Sequence, residues 1–339
     1  MKPIVIPCAT EDAWHAERSK AIGASEAAAL IGESKYLTPL QLWSRKKLGL
    51  PDTKQETEQM EAGHFMEPAN AAWYAKRWGR RVVTPQEFYG CPGAFAVIVR
   101  HPTLPLQCTP DRIILPQQTQ MDEPTPARAP GPLQLKNVDR WLLSEWEEGD
   151  EAAPPLAVQI PVQVEMLCTG MEWGAIGAIV GGNRRRDADV HLNRAFIGKL
   201  GALAFNFWAS LQTDLAPAPV AADLEEIKRQ WPDSLPGLSC EYPHPEDVLE
   251  LARVKAELSR LEEQEKALLA KIAAVAGPAE TLTQSGQKLA TYKSSVRRDP
   301  PREARETVIR SFRIDTSILK AAKAALPAHE HRTPILPAG

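Results

Sequence analysis

Leu106-Gln107-Cys108-Thr109-Pro110-Asp111-Arg112-Ile113-Ile114-Leu115 and, farther on, Leu133-Gln134-Leu135-Lys136-Asn137-Val138 are the stretches on which this sequence turns. Both are short runs rich in branched apolar residues, which predicts strands over Leu106–Leu115 and Leu133–Val138. Residues i and i+2 of a strand share a face, so Gln134 and Lys136 point the same way. If the two strands are neighbours, at about 5 Å spacing, Asp111 lies close to both. A carboxylate, an amide oxygen and a lysine on one sheet face suit phosphodiester hydrolysis. The oxygens can hold Mg²⁺, which takes few protein ligands and keeps several waters. Such an ion lowers the pKa of a water and neutralises charge on the phosphorus, while a lysine orients the water or offsets developing charge. The same pattern is open to a plainer reading, in which Asp111 is a hydrogen-bond acceptor beside a turn.

Outward from this pair, the N-terminal side reads as mostly helical. Helices are expected over 24–31, 37–49 and 60–78, the second starting at Thr38-Pro39 and the last stopping at Gly79. Strands are expected over Arg81–Tyr89 and Ala94–Arg100. Pro116 to Pro132 reads as a mobile, proline-rich insertion across a hairpin, and Pro51–Gln59 as a polar connector. Downstream, residues 156–170 predict a helix whose start Pro161 can delay, Glu172–Val180 a strand, and Gly181-Gly182-Asn183 a hairpin into a strand near Asp189–Arg194. Residues 196–213 predict a further helix. Past the proline-rich linker Ala216–Val220, Leu251, Val254, Leu258, Leu261, Leu268, Ile272 and Val275 step by threes and fours, broken by Glu265. One long helix packed on its own domain, or a helical hairpin, is favoured over an intermolecular coiled coil. Ser285-Gly286 marks a hairpin, and residues 326–339 read as a disordered tail.

Composition narrows the class. At 339 residues, about two domains are expected. With 43% apolar residues the chain can bury a core, which excludes wholesale disorder. There is no apolar run long enough for a membrane span and no secretory leader pattern, so a cytoplasmic protein without membrane partners is expected. Five scattered cysteines form no CxxC pair, which argues against a zinc or iron–sulfur site. The net charge of −3 divides into −9 over residues 1–250 and +6 over residues 251–339. An acidic body with a basic C-terminal part fits a metal site plus an anion-facing surface, or simply uneven solvated charge. Arg184-Arg185-Arg186 is a candidate phosphate clamp or a solvated turn, and Lys288, Lys293, Arg297 and Arg298 form a basic candidate in the C-terminal hairpin. Trp141 and Trp146 read as packing residues rather than base-stacking platforms. The absence of a GxxxxGK[ST] motif disfavours ATP use, and no Ser, Cys or His nucleophile–base pair is recognisable.

Taken in order, IGASEAAALIG, LQLWSRKKLG, AGHFMEP, CTPDRIIL, LQLKNVD and VQIPVQVEMLCTG resemble the lambda-exonuclease/YqaJ-type family of phage recombination nucleases, within the PD-(D/E)xK superfamily. The resemblance runs from about Arg18 to about Val190. It implies an α/β, restriction-endonuclease-like core with a central mixed β-sheet flanked by helices, here over residues 1–215. A C-terminal long helix and β-hairpin extension over 216–325 and the tail 326–339 complete the expected organisation. By resemblance, Asp111 is the central metal ligand, Glu67 a helix carboxylate near a second ion, Lys136 the catalytic lysine, and Leu135 a backbone-carbonyl ligand. Gln134 stands where the family usually has a glutamate. Arg18 and Ser25 match the pair that receives a DNA 5′-phosphate, aided by Thr109; Gln159 matches a supporting glutamine, and His101 a supporting group near the metal. His64 reads as a structural residue on its helix.

The resemblance implies a Mg²⁺-dependent exonuclease, with Mn²⁺ able to substitute, acting on double-stranded DNA ends 5′ to 3′ without ATP. It would leave 3′ single strands for a separate single-strand annealing protein, and would be a homo-oligomeric ring, such as a trimer, of phage or prophage origin in a bacterial cytoplasm. Gln134 bears on this directly, since an amide oxygen binds a hard dication more weakly than a carboxylate does. An active enzyme of QxK type is favoured; a catalytically weakened module that binds DNA ends is the alternative.

Overall fold

The computed structural model describes residues 2–49, 57–116, 129–148, 151–213, 215–231 and 233–294, with Lys320 and Ala324. The chain divides into two units, Met1–Ile227 and Lys228–Gly339. The connector residues 51–56, most of the proline-rich insertion, Arg297, Arg298 and the tail 326–339 lie outside the described residues.

In the first unit the elements run β1 (Ile4–Cys8), α1 (Glu11–Arg18), β2 (Ile22–Gly23), α2 (Ala24–Leu30), α3 (Pro39–Leu48), α4 (Glu58–Trp78), β3 (Val82–Val83), α5 (Pro85–Tyr89), β4 (Ala96–Arg100), β5 (Leu106–Cys108) and β6 (Arg112–Ile114). They continue with β7 (Gly131–Val138), β8 (Glu147–Glu148), β9 (Glu151–Ala152), α6 (Leu156–Thr169), β10 (Trp173–Val180), β11 (Arg184–His191) and α7 (Arg194–Thr213); α8 (Leu224–Gln230) crosses the division. Two sheets form the frame: β11-β10-β7-β6-β3, parallel only at β7/β10, and β1-β4-β5-β2, parallel only at β2/β5. The mixed α/β core expected from the sequence is therefore present.

The expected single strand Leu106–Leu115 is two strands in two different sheets. β5 belongs to the four-stranded sheet and β6 to the five-stranded one. The break is chemical: Pro110 has no N–H to donate to a ladder, so strand pairing ends around it. Thr109-Pro110-Asp111 is thus the crossover between sheets. β6 then pairs antiparallel with β7, Arg112 opposite Leu133, so the two chemistry-bearing stretches are neighbours.

Helix α6 fills the space between the sheets, buried almost all round, which explains its lack of an amphipathic pattern. Ile160, Val164 and Cys168 pack with Ile22, Leu106 and Cys108. Val162 and Met166 pack with Val138, Ile176 and Ala178. Two apolar stripes of one helix therefore serve two sheets. Pro161 lies inside α6 and does not delay its start, because the helix's first turn is closed by Val158 and Gln159 N–H groups on the Pro155 carbonyl.

Several boundaries differ from expectation. Only Val82–Val83 of the expected strand Arg81–Tyr89 is extended; Thr84 caps α5 reciprocally with Glu87, a capping box with proline in the first turn. β11 begins at Arg184, directly after the 181–183 turn, rather than near Asp189. The expected division at 215–216 lies earlier than the observed one. Fully buried Asp223 accepts from the Thr38 hydroxyl and from Val220 N (2.7 Å), which keeps this segment with the first unit.

The second unit holds α9 (Pro245–Ala276), one helix and not a hairpin, then β12 (Thr281–Gln284) and β13 (Gln287–Thr291). Ser285 (φ 49°) and Gly286 (φ 80°) are both left-handed, as a two-residue hairpin turn requires. The heptad residues Leu258, Leu261, Leu268 and Ile272 are exposed rather than packed. Among the described residues no helix is long and apolar enough to cross a membrane.

Candidate active site

Asp111 sits where the β6/β7 ladder has ended. Its Oδ2 accepts from the backbone N–H of Leu135 (2.7 Å), taking the place of a strand partner, and from Gln134 Nε2 (3.1 Å). Gln134 is 7% exposed, and with its amide nitrogen on Asp111 its Oε1 is buried without any partner. Asp111, Gln134 and Lys136 line one cleft of about 190 Å³, together with Arg18, Ser25, Thr109 and Glu165. Six of the residues singled out in the sequence thus meet in one place.

Glu165 was not among them. It comes from α6, one turn after Pro161, on the strip left between the two apolar stripes. It is 2% exposed, and its Oε2 has no hydrogen-bond partner. Burial pushes its carboxyl well above the usual range; the charge of Asp111 adds to this and Lys136 opposes it. The signal was present in the sequence. Glu165 is the only charged residue between Glu151 and Glu172, in a helix otherwise fit for a core, and glutamate is almost never fully buried unless paired.

A second cleft, of about 390 Å³, opens on the other side of Asp111 and Lys136 and is lined by Glu67, His64, Asn70 and Leu135. Glu67 Oε1 accepts from Arg112 Nη1 (2.5 Å), which also donates to the Asp111 carbonyl (2.6 Å). Burial and then Asp111 raise the Glu67 carboxyl's pKa, with Arg112 pulling it down. Buried Asn70 ties this helix to the sheet. Its Nδ2 donates to the carbonyls of Lys136 (3.2 Å) and Gly177 (3.0 Å), and its Oδ1 accepts from Arg185 Nη1 (2.9 Å). A Cβ at Gly177 would stand 3.2 Å from the Tyr74 ring and 3.1 Å from Leu135 and the Arg185 guanidinium, so these side chains would have to give by a few tenths of an ångström. Asn70 stands three residues after Glu67 in sequence, and it was not anticipated either.

Two residues of the arginine run are held by acids of the chain itself. Arg185 is buried against Asp187 (2.7 Å), and Arg186 is paired with Glu147. Trp146 is buried in the core and Trp141 is exposed, with the Arg140 guanidinium 4.1 Å over its ring.

Arg18 closes α1 and lies 4.5 Å over the Trp14 ring. Trp14 Nε1 in turn donates to Thr109 Oγ1 (3.1 Å), linking the arginine to the crossover. Exposed Ser25 stands in the first turn of α2. Beneath them, Glu26 accepts from Gly23 N (2.6 Å) and pairs with Lys46 (2.9 Å), while Lys46 and Gln107 hold the Arg18 carbonyl (3.0 and 2.8 Å). Two expected residues lie elsewhere. Gln159, two positions from Pro161 and so roughly opposite it on the helix, donates to the Pro154 carbonyl (2.7 Å). His101 accepts from Leu104 N (3.0 Å) and Thr103 N (3.3 Å), closing the turn between β4 and β5; burial lowers its pKa. Gln163 clamps His191 O and Asn193 N, both at 2.8 Å.

Among the described residues no three His, Cys, Asp or Glu side chains gather closely enough to hold a metal alone. The first cleft nevertheless offers a carboxylate at Asp111 and two buried, unpartnered oxygens, Gln134 Oε1 and Glu165 Oε2. An all-oxygen donor set with one or two carboxylates and room for water fits Mg²⁺.

Residues 13–172 match the YqaJ-like viral recombinase domain. The chain is 23% identical over 265 residues to the uncharacterized protein YqaJ of Bacillus subtilis, covering 76% of each. The alkaline exonuclease LHK-Exo of Laribacter hongkongensis aligns at TM-score 0.43 and 19% identity over 66% of this chain and 98% of that one. Its complex with dAMP aligns at TM-score 0.43 and 18% identity, with the same coverage. Arg18, Glu67, Asp111, Gln134, Lys136 and Glu165 all fall within the span that matches the YqaJ-like viral recombinase domain.

Proposed function

We propose that this chain is a Mg²⁺-dependent deoxyribonuclease that digests linear double-stranded DNA from an end, in recombination. The observation that supports it most is the meeting of Asp111, Gln134 and Lys136 with Arg18, Ser25 and Thr109 in one cleft. Asp111 and Gln134, with the Leu135 carbonyl, would hold the ion, and Glu67 would serve a second one. The bound metal supplies an activated water and charge neutralisation at the phosphodiester. Lys136 contributes a fixed positive charge beside the scissile phosphate, where it orients the attacking water and offsets developing negative charge. Arg18 presents a guanidinium, and Ser25 and Thr109 hydroxyls, to a 5′-terminal phosphate. This polarity of grip favours 5′ to 3′ digestion, leaving 3′ tails for an annealing protein; ATP plays no part, and a ring of identical subunits would supply processivity.

A second reading is favoured by one observation. Gln134 removes a negative charge from the metal site, which suits a module that binds DNA ends without cutting them. Digestion of a 5′-phosphorylated linear duplex with and without Mg²⁺ separates the two. Metal-dependent loss of duplex by the wild type, absent in Lys136→Ala, is expected for the nuclease; end binding without digestion by the wild type would establish the other.

A further inference from the structure

We infer that Glu165 is the second carboxylate of the metal site, supplied from α6 in place of the one that Gln134 lacks on β7. The inference rests on the nuclease reading above and deepens it. Asp111, Gln134 and Glu165 line the same cleft, from a crossover, a strand and a helix. Gln134 gives its amide N–H to Asp111 (3.1 Å), so the amide is oriented with its oxygen as the free end. That oxygen and Glu165 Oε2 are two of only four buried side-chain polar atoms without a partner among the described residues. Both belong to residues that line the cleft of Asp111. A buried acceptor without a donor costs about 1–3 kcal/mol, so two in the lining of one cleft call for a partner that the chain itself does not supply. That partner must accept electron pairs from a carboxylate and an amide oxygen together, which a hard divalent cation does.

Nothing else in the cleft fills this role. Lys136, which also lines it, makes no hydrogen bond to either oxygen, and the α6 residues that flank Glu165 in the two packed stripes are apolar. Glu165 has no packing reason to be acidic, since a glutamine or methionine would fit the same helix position without the cost of burying a carboxylate. The charge on the donor set is then that of two carboxylates, Asp111 and Glu165, with Gln134 as a neutral third oxygen. Two carboxylates on one ion lie within what Mg²⁺ takes, the second being reached from a different element.

The test is calorimetric titration of the full chain with Mn²⁺ in the absence of DNA. The proteins are wild type, Asp111→Asn, Glu165→Gln and the exchange variant Gln134→Glu/Glu165→Gln. Glu165→Gln is expected to weaken Mn²⁺ at least tenfold while raising the melting temperature of the metal-free protein. The exchange variant is expected to recover affinity to within about threefold of wild type. Wild-type affinity in Glu165→Gln, with binding lost in Asp111→Asn, would overturn the assignment of Glu165 and leave the nuclease reading standing. A wild type that neither binds Mn²⁺ nor digests duplex would overturn both. Anomalous diffraction from crystals of the unmutated chain soaked in Mn²⁺ gives a second measure that needs no variant. An ion touching Asp111 and Glu165 is expected, and one touching Asp111 with Glu165 out of reach would overturn the inference.

Discussion

Glu67 and Glu165 flank the same aspartate from two clefts, and the protein keeps them in opposite ways. Glu67 stands on α4 with Arg112 bonded to it, so its charge is balanced by the chain itself. Glu165 stands on α6 with an oxygen left bare in the core. The Glu165 cleft also holds Arg18, Ser25 and Thr109, whereas the Glu67 cleft holds His64 and Asn70. The difference teaches that proximity to Asp111 does not define a role. One carboxylate has a counter-charge supplied by the chain, and the other has an oxygen without a partner.

The largest effect is expected where the clefts meet. Lys136→Ala should reduce cleavage at least 10²-fold while leaving DNA affinity within a few-fold, as measured by single-turnover digestion and end-binding titration. Unchanged cleavage would remove the lysine from the chemistry. Arg18→Ala should slow digestion of 5′-phosphorylated ends about tenfold more than of 5′-hydroxyl ends, because only the former present a doubly charged group to a guanidinium. Equal slowing would mean that the Glu165 cleft does not receive the end. Arg112→Met should destabilise the metal-free protein by about 1–2 kcal/mol in urea unfolding, since it strands a partly buried carboxylate whose solvent exposure softens the loss. This is the reverse of the sign expected for Glu165→Gln, and a shared sign would dissolve the contrast between the two acids. The smallest effect concerns Gln134→Glu. With Glu165 already present, a third carboxylate should shift the Mg²⁺ midpoint of digestion only a few-fold, and rate at saturating Mg²⁺ should hardly change. A tenfold or larger tightening would indicate that Gln134 is the position that limits charge.

The sequence carried the strand face well because strand geometry is simple. A period of two puts Gln134 and Lys136 side by side, and Pro110-Asp111 lies close in sequence to a partner strand. It carried the helix poorly because α6 is buried on nearly every side. With no polar face to mark the outside, nothing in the pattern tells Gln159, the residue matched by resemblance, from Glu165. Only the two sheets, by claiming Ile160, Val164 and Cys168 on one stripe and Val162 and Met166 on another, leave Pro161 and Glu165 for the cleft. His101 resembled a site residue by its spacing before Asp111, yet a histidine accepting two backbone N–H groups is a turn-closing device that spacing cannot reveal. Thr84-Pro85-Gln86-Glu87 is a legible capping box, but the flanking Val82, Val83, Phe88 and Tyr89 have strong β propensity and favour a strand. The capping box outweighed them.

The crossover Thr109-Pro110-Asp111 gives the site a reporter of its own. The Leu135 amide proton rests on the Asp111 carboxylate rather than on a neighbouring strand. Its exchange with deuterium therefore tracks the aspartate, while the amides of paired strands track the sheet. Binding of a cation that draws the carboxylate away would hasten exchange at this one position; binding that holds the carboxylate where it is would slow it. A single backbone proton, followed by nuclear magnetic resonance, can thus distinguish a site built ready for its ion from one that rearranges to receive it.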